Sequence, residues 1–231
     1  IVKIDEKVFD KAQVNSVIVA SHIPENIKEP KYKAYMISDD KLKLVSETSM
    51  NKILDEREII FRIEINNELD NLISKIEKDT LRIKEIATVS DGIVAGGIKD
   101  LLFLDKKQDK DSKKLYFGKH LNKYHLSDTT IWVNYKPEKM MKEETKRKGD
   151  KRTGLWMRDE KIFKREKIIY RKVGKELIAT FADKGIYYEQ TVHSCHITDK
   201  RFETKYVLAL FNSELFKFYY TFYTYYIYIE Y

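Results

Sequence analysis

The chain is poor in the residues that most small catalytic sites need. Its 231 residues contain a single cysteine, Cys195, so no internal disulfide can form, and a reducing, cytoplasmic setting is expected. A tetrahedral zinc site would need further ligands near His193-Ser194-Cys195-His196. The other histidines, His22, His120 and His125, lie far away in sequence, so this tetrapeptide reads as a partly buried strand. The three prolines, Pro24, Pro30 and Pro137, are isolated. The Asn/Asp-Pro-Pro-Tyr/Phe loop with which amino-methyltransferases hold a flipped base is therefore absent. Only eight glycines occur, and none is spaced as Gly-x-Gly-x-x-Gly or as a phosphate-binding Gly-x-x-x-x-Gly-Lys-Ser/Thr loop. Acid-x-Lys triplets such as Asp5-Glu6-Lys7 arise by chance in so charged a chain and are weak support for a nuclease. No apolar run approaches eighteen residues, which excludes a membrane-spanning helix, and the opening Ile1-Val2-Lys3-Ile4-Asp5 lacks a signal-peptide pattern. The missing initiator methionine suggests a piece of a longer protein.

What the chain does have is unevenly placed positive charge. The formal net charge is +7, yet residues 1–80 are slightly acidic. From Lys136 to Lys172 fifteen Lys/Arg face seven Asp/Glu, and from Lys99 to Lys123 eight Lys face four Asp. Clustered positive charge suits a polyanion such as nucleic acid, although solvated lysine-rich loops would give the same count.

Hydrophobic patterning predicts a mixture of strands and helices. Val14–Ala20 reads as a buried strand and Lys31–Ile37 as another. Leu69, Leu72, Ile73 and Ile76 recur at helical spacing. Three glycines, Gly92, Gly96 and Gly97, fall within six residues, marking a tight turn or a close approach by another molecule. Leu101–Leu104, Ile131–Tyr135, Lys167–Arg171 and Leu177–Phe181 read as strands, and Asp105–Lys114 as an exposed loop. Lys136–Gly154 is expected to be a long charged loop in which Lys146, Arg147 and Lys148 act as diffuse charge. Tyr206–Tyr219 is expected to be one helix, with Leu208, Leu210, Phe211, Leu215 and Phe218 on its apolar face. The tyrosine-rich end, Tyr220–Tyr231, fits either helix or strand.

The order of these segments resembles a known family. Leu81–Leu104, beginning Leu-x-Ile-x-Glu-Ile-Ala-x-Val-x-x-Gly-Ile-x-x-Gly, is similar to the start of the TaqI-like C-terminal specificity domain, with Ala95 where the family has threonine. Glu166–Arg171 resembles its Pro-Lys-Ile-x-x-Arg strand, with Glu166 in place of proline. Tyr206–Leu215 resembles its closing Leu-Asn-Ser helix, also seen in type I specificity subunits. Upstream, Val8–Val19 looks like the last sheet strands of a methyltransferase domain.

The resemblance implies an α/β fold of mixed α+β character: a mixed-sheet recognition domain with a long C-terminal helix, preceded by a remnant of a methyltransferase sheet. The implied division is residues 1–45 for that remnant, 46–80 for a connecting helix and 81–231 for target recognition. The implied function is sequence-specific recognition of double-stranded DNA for an adenine-N6 methyltransferase of a type II restriction–modification system. In that arrangement the methyltransferase domain of the same parent chain flips and methylates the base. S-adenosylmethionine then belongs to the parent, and no catalytic, cofactor or metal residue is expected in this chain. Half of a type I specificity subunit is the alternative, as is a protein-interaction domain; residues 47–79 are too short and irregular for the long heptad helices of type I subunits. The expected DNA-binding residues are Gly92, Gly96, Gly97, Lys99, Lys136, Lys146, Arg147, Lys148, Arg152, Arg171 and Lys172. Arg171 is the first candidate for reading a base edge, since a guanidinium can donate two parallel hydrogen bonds to guanine.

Overall fold

The fold was derived from a computed structural model, which describes residues 1–4, 16–21, 30–38, 41–50, 67–149, 154–174 and 176–225. The chain divides into two compact units, Ile1–Thr80 with Thr221–Tyr231, and Leu81–Tyr220.

The first unit carries a four-stranded sheet of β1 (Val2–Ile4), β2 (Ser16–Ile18), β3 (Lys31–Ser38) and β4 (Lys41–Ser49), ordered β2-β1-β3-β4. The sheet is mixed, because β1 runs parallel to β3 and the other pairs are antiparallel. Tyr32 and Ala34 point the same way from alternate positions of β3 and are buried with Ile1, Val17 and Met50 around them. The strand expected over Val14–Ala20 is seen as β2, but it is not buried: Ile18 and Val19 are about half exposed, since β2 is an edge strand of the described sheet. Helix α1 (Asn67–Glu77) places Ile73 in full burial, with Leu72 on its exposed side. Of the helix expected across 46–80, the residues to Ser49 are strand and residues 51–66 lie outside the described ones.

In the second unit a short helix, α2 (Ile83–Ile86), leads into β5 (Ala87–Asp91), followed by β6 (Val94–Ala95), α3 (Lys99–Leu102), β7 (Phe103–Leu104) and β8 (Ser112–Tyr116). Then come β9 (Leu121–Asn122), β10 (His125–Leu126), β11 (Trp132–Asn134), α4 (Pro137–Lys148), β12 (Leu155–Trp156), β13 (Lys167–Arg171), β14 (Ala179–Ala182), β15 (Tyr187–Tyr188) and β16 (Val192–Ile197). Two helices, α5 (Thr204–Phe211) and α6 (Glu214–Tyr225), close the described chain. An antiparallel sheet, β14-β13-β16-β5, and a mixed sheet, β15-β8-β11-β7, make the body, with β6-β12 and β9-β10 as small pairs. The fold is therefore mixed α/β, as expected.

The centre of strand β13, Ile168-Ile169-Tyr170, shows why its sequence does not alternate. Successive residues face opposite sides of a sheet. Ile168 enters the core under α5 with Ala179, Cys195, Leu208 and Phe211, while Ile169 enters the core shared with Leu115, Val133, Phe163 and Tyr188. A strand buried on both faces has no solvent side to make polar.

Three local expectations are corrected. The charged stretch after Lys136 is not a loop but helix α4, with Pro137 at its first turn and Gly149 just past its end at φ 60°. Met140 and Glu144, one helical turn apart, are its buried residues and hold it to the domain. Of the strand expected over Leu101–Leu104, Leu101 and Leu102 belong to the helical turn Lys99–Leu102, and only Phe103–Leu104 is strand. The closing helix breaks at Asn212-Ser213, and the Phe216 N–H of the second helix donates to Ser213 Oγ at 3.2 Å. Asn212 is buried, its Oδ1 accepting from the Ala179 N–H at 3.1 Å and its Nδ2 donating to the Ala179 carbonyl at 2.9 Å. That asparagine continues the hydrogen-bonding edge of β14, which is the physical reason for the Asn-Ser break.

Candidate nucleic-acid interface

One end of the antiparallel sheet gathers several polar groups. Strands β5 and β13 end where β16 begins, so Asp91 lies opposite His193 and Arg171 opposite Val192. The loop before β16 ties neighbouring segments to this end. The Gly92 N–H donates to the Val192 carbonyl at 3.1 Å, the Lys172 N–H to the Thr191 carbonyl at 2.9 Å, and the Gly118 N–H to Thr191 Oγ1 at 2.9 Å. Gly92 is required sterically: a Cβ there would stand 2.2 Å from the Glu189 carbonyl oxygen.

Asp91 is the electrostatic centre. Its carboxylate lies 3.0 Å from Lys172 Nζ, 3.3 Å from an Arg158 guanidinium nitrogen and 2.7 Å from His193 Nε2. Burial alone would raise its pKa, but Lys172, His193 and Arg158 together hold it below the usual carboxylate value. His193 is pushed the other way: burial lowers its pKa more than Asp91 lifts it, so it is mostly neutral at pH 7. Beside this cluster an open groove is lined by Phe117, Gly118, Lys119, Arg171, Val173 and Thr191. Arg171 donates from one terminal nitrogen to the Leu121 carbonyl at 2.5 Å, while its Nε is buried with no hydrogen-bond partner among the described residues. Lys119 is exposed and has no ion-pair partner among the described residues.

The structure brings Gly92, Arg171 and Lys172 together and puts the other expected residues that it describes elsewhere. Gly96 and Gly97 pack against the last turns of α4. Gly97 and Gly154 donate backbone N–H bonds to Glu144 Oε1 at 3.3 and 2.8 Å, and Lys148 Nζ stands 3.3 Å from the same oxygen. Gly96, at φ 57°, has no room for a Cβ, which would stand 2.4 Å from both Glu144 oxygens. The Gly97 amide, expected to face a phosphate, already holds an internal carboxylate. Arg147 makes a two-pronged pair with Asp100, at 2.6 and 2.8 Å, and Lys146 pairs with Glu143 at 3.0 Å. They are not diffuse loop charge but ion-paired helix residues. Lys99 is exposed on α3. Lys136 forms a third group, bonded to Asp109 and 3.9 Å from Asp111. Arg152 lies outside the described residues.

Sequence reasoning passed over Asp91, Lys119, Trp156, Arg158, Thr191 and His193. The signal available for Trp156 and Arg158 was a lone tryptophan two residues from an arginine inside the basic stretch. The His-Ser-Cys-His segment is the buried strand expected, with the Cys195 thiol pushed up to about 11 by burial. Among the described residues no group of three His, Cys, Asp or Glu side chains is placed to hold a metal, and no helix is long and apolar enough to cross a membrane.

Comparison with known sequences gives one family. The TaqI-like C-terminal specificity domain matches residues 113–228, about half of the chain, and no curated protein matches it. The matched span contains β13, α5 and the Asn-Ser break, and also Lys119, Trp156, Arg158, Arg171, Lys172 and His193 around the sheet end. The Gly92–Lys99 segment lies before it. The chain belongs to the TaqI-like C-terminal specificity domain family, and is a DNA sequence-specificity domain of the restriction–modification kind.

Proposed function

We propose that the chain reads duplex DNA for an adenine-N6 methyltransferase of a type II restriction–modification system, with the end of the antiparallel sheet as its reading surface. The methyltransferase domain of the parent protein, holding S-adenosylmethionine, supplies the chemistry; this chain contributes position and sequence choice. The observation that carries the reading is the convergence of Lys119 and Arg171 on one groove within the matched family span, beside the Asp91–Lys172 ion pair. Rigid strand ends suit base readout, because a side chain that is already fixed loses little freedom on binding. Arg171 is fixed by its bond to Leu121 and is the proposed base reader. Lys119, which has no ion-pair partner among the described residues, is proposed for a phosphate, a contact that supplies affinity without sequence information.

Selection from a pool of duplexes with a randomised centre tests this. Repeated capture on the purified chain should enrich one short sequence, and Arg171→Ala should relax the choice at one position of it. A lost bidentate contact to a base costs about 1–3 kcal/mol of discrimination, roughly five- to a hundred-fold in the enrichment ratio. A pool that stays random with the native chain contradicts the reading.

A further inference from the structure

Trp156 is the second of only two tryptophans, and 59% of it is exposed although the pair β12–β6 holds its backbone firmly opposite Val94. Leaving an indole in water forgoes a large burial free energy, so its surroundings are informative. The guanidinium of Arg158 lies over the ring with its central carbon 3.5 Å from the ring centroid. That guanidinium cannot swing away freely. Its Nε donates to the Gly92 carbonyl at 2.9 Å, and a terminal nitrogen pairs with Asp91 at 3.3 Å. Arg158 also holds φ at 67°, a conformation that side-chain-bearing residues seldom keep without a compensating contact. The backbone, the ion pair and the stack together set one tryptophan face on a fixed support, next to the Asp91–Lys172 end of the sheet.

We propose that Trp156 is a stacking platform for a nucleobase: a base exposed by an opened or unpaired stretch of DNA lies against the indole face that Arg158 does not cover. The proposal rests on the DNA-binding reading above and adds a ligand class that groove readout does not require. Stacking on an aromatic ring is open to every base, since each has a π face, and arginine beneath the ring adds its own cation–π attraction. Because the platform is already rigid, little side-chain freedom is lost when a base settles on it. Cations on that side supply the complementary charge for the backbone that carries the base: Arg158 itself, and Lys172, which shares Asp91 with it.

The test uses the whole chain with Trp132→Phe, so that Trp156 is the only tryptophan and can be excited at the red edge, where the tyrosines do not absorb. The probes are a mixed-sequence single-stranded oligonucleotide and an abasic strand of the same length and charge. The base-bearing strand should quench the indole fluorescence, and the abasic strand should bind weakly without quenching. Trp156→Leu should weaken binding of the base-bearing strand about five- to a hundred-fold and leave the abasic strand unchanged. Trp156→Tyr should restore most of the loss, because the ring rather than the bulk is what matters. Binding of the base-bearing strand without quenching, or an equal effect of Trp156→Leu on both strands, overturns the platform while leaving DNA binding intact. Failure of the native chain to bind either strand or any duplex overturns both readings together.

Discussion

Replacing Asn212 with alanine should unpin the edge of the antiparallel sheet. Strand β14 is an edge strand, and Ala179 on it is fully buried, so neither water nor another strand can serve its outward N–H. Asn212 Oδ1 accepts that N–H, and Nδ2 donates to the Ala179 carbonyl, which also receives the Tyr124 N–H at 3.1 Å. Truncation therefore orphans the N–H fully but leaves the carbonyl one partner. An unsatisfied buried donor costs about 1–3 kcal/mol and the second lost bond about 0.5–1.5 kcal/mol, for a total of roughly 2–4 kcal/mol. With a urea slope of about 1–3 kcal/mol per molar, the midpoint should fall by about 1–2 M with the slope unchanged. Urea titration followed by far-ultraviolet circular dichroism reads this directly. Asn212→Asp separates the two bonds, since an ionised carboxylate keeps the acceptor but sets an anion against the carbonyl. Its deficit should shrink as pH falls and the protonated carboxyl regains a donor. An alanine variant whose midpoint shifts by less than about 0.3 M would refute the reasoning, because that is below the cost of one orphaned donor.

Two further outcomes follow from the packing. Gly92→Ala should unfold or severely loosen the sheet end, because the added carbon meets backbone at 2.2 and 2.4 Å; Gly97→Ala meets only the Lys148 side chain, at 3.2 Å, and should be tolerated, as thermal melting of the two variants will show. Lys167 is buried, its ammonium donating to the carbonyls of Phe163 and Arg165 at 3.0 and 2.9 Å, and burial pulls its pKa down to about 8. Between about pH 8 and the unfolded value near 10.4 the unfolded chain holds a proton that the folded chain has released, so this group makes stability rise with pH, by at most on the order of 3 kcal/mol. Buried tyrosines such as Tyr188, raised to about 12, act in the opposite sense above about pH 10. Subtracting the pH profile of Lys167→Met from that of the native chain isolates the lysine, and a difference that is flat from pH 8 to 10 would refute its assignment.

Elements whose reason is local were legible in the sequence. The apolar run Ile168–Tyr170 with its partner Ala179–Ala182 is a strand pair because both cores claim its residues. Helix α4 was not legible, because only Met140 and Glu144 anchor it and the remainder is charged on every side. Its start signal, Pro137 after a strand, and its stop, Gly149, were present but outweighed by that polarity. Counting charge along the chain also misled. The surplus after Lys136 is offset in space by Asp91, Asp100 and Asp109, which come from segments well before it in sequence. The glycine-dense segment was expected to mark a tight turn or a close approach by another molecule; the groups that approach are internal, the Glu189 backbone at Gly92 and Glu144, 47 residues away along the chain, at Gly97. Asp91, Arg158, Lys172 and His193 come from four separate segments, and no spacing rule joins them.

The central claim, that DNA meets the sheet end and not α4, is tested most directly by the salt dependence of duplex binding in two variants, one at each place. Each phosphate contact contributes about −0.9 to the slope of log K against log salt through counter-ion release. Lys119→Ala, which removes a cation with no ion-pair partner among the described residues, should make the slope shallower by about 1 and weaken binding at low salt. Lys146→Ala with Arg147→Ala removes cations already paired to Glu143 and Asp100, and should leave slope and affinity nearly native. The reverse pattern, a slope lost with the α4 variant and kept with the sheet-end variant, would contradict the account.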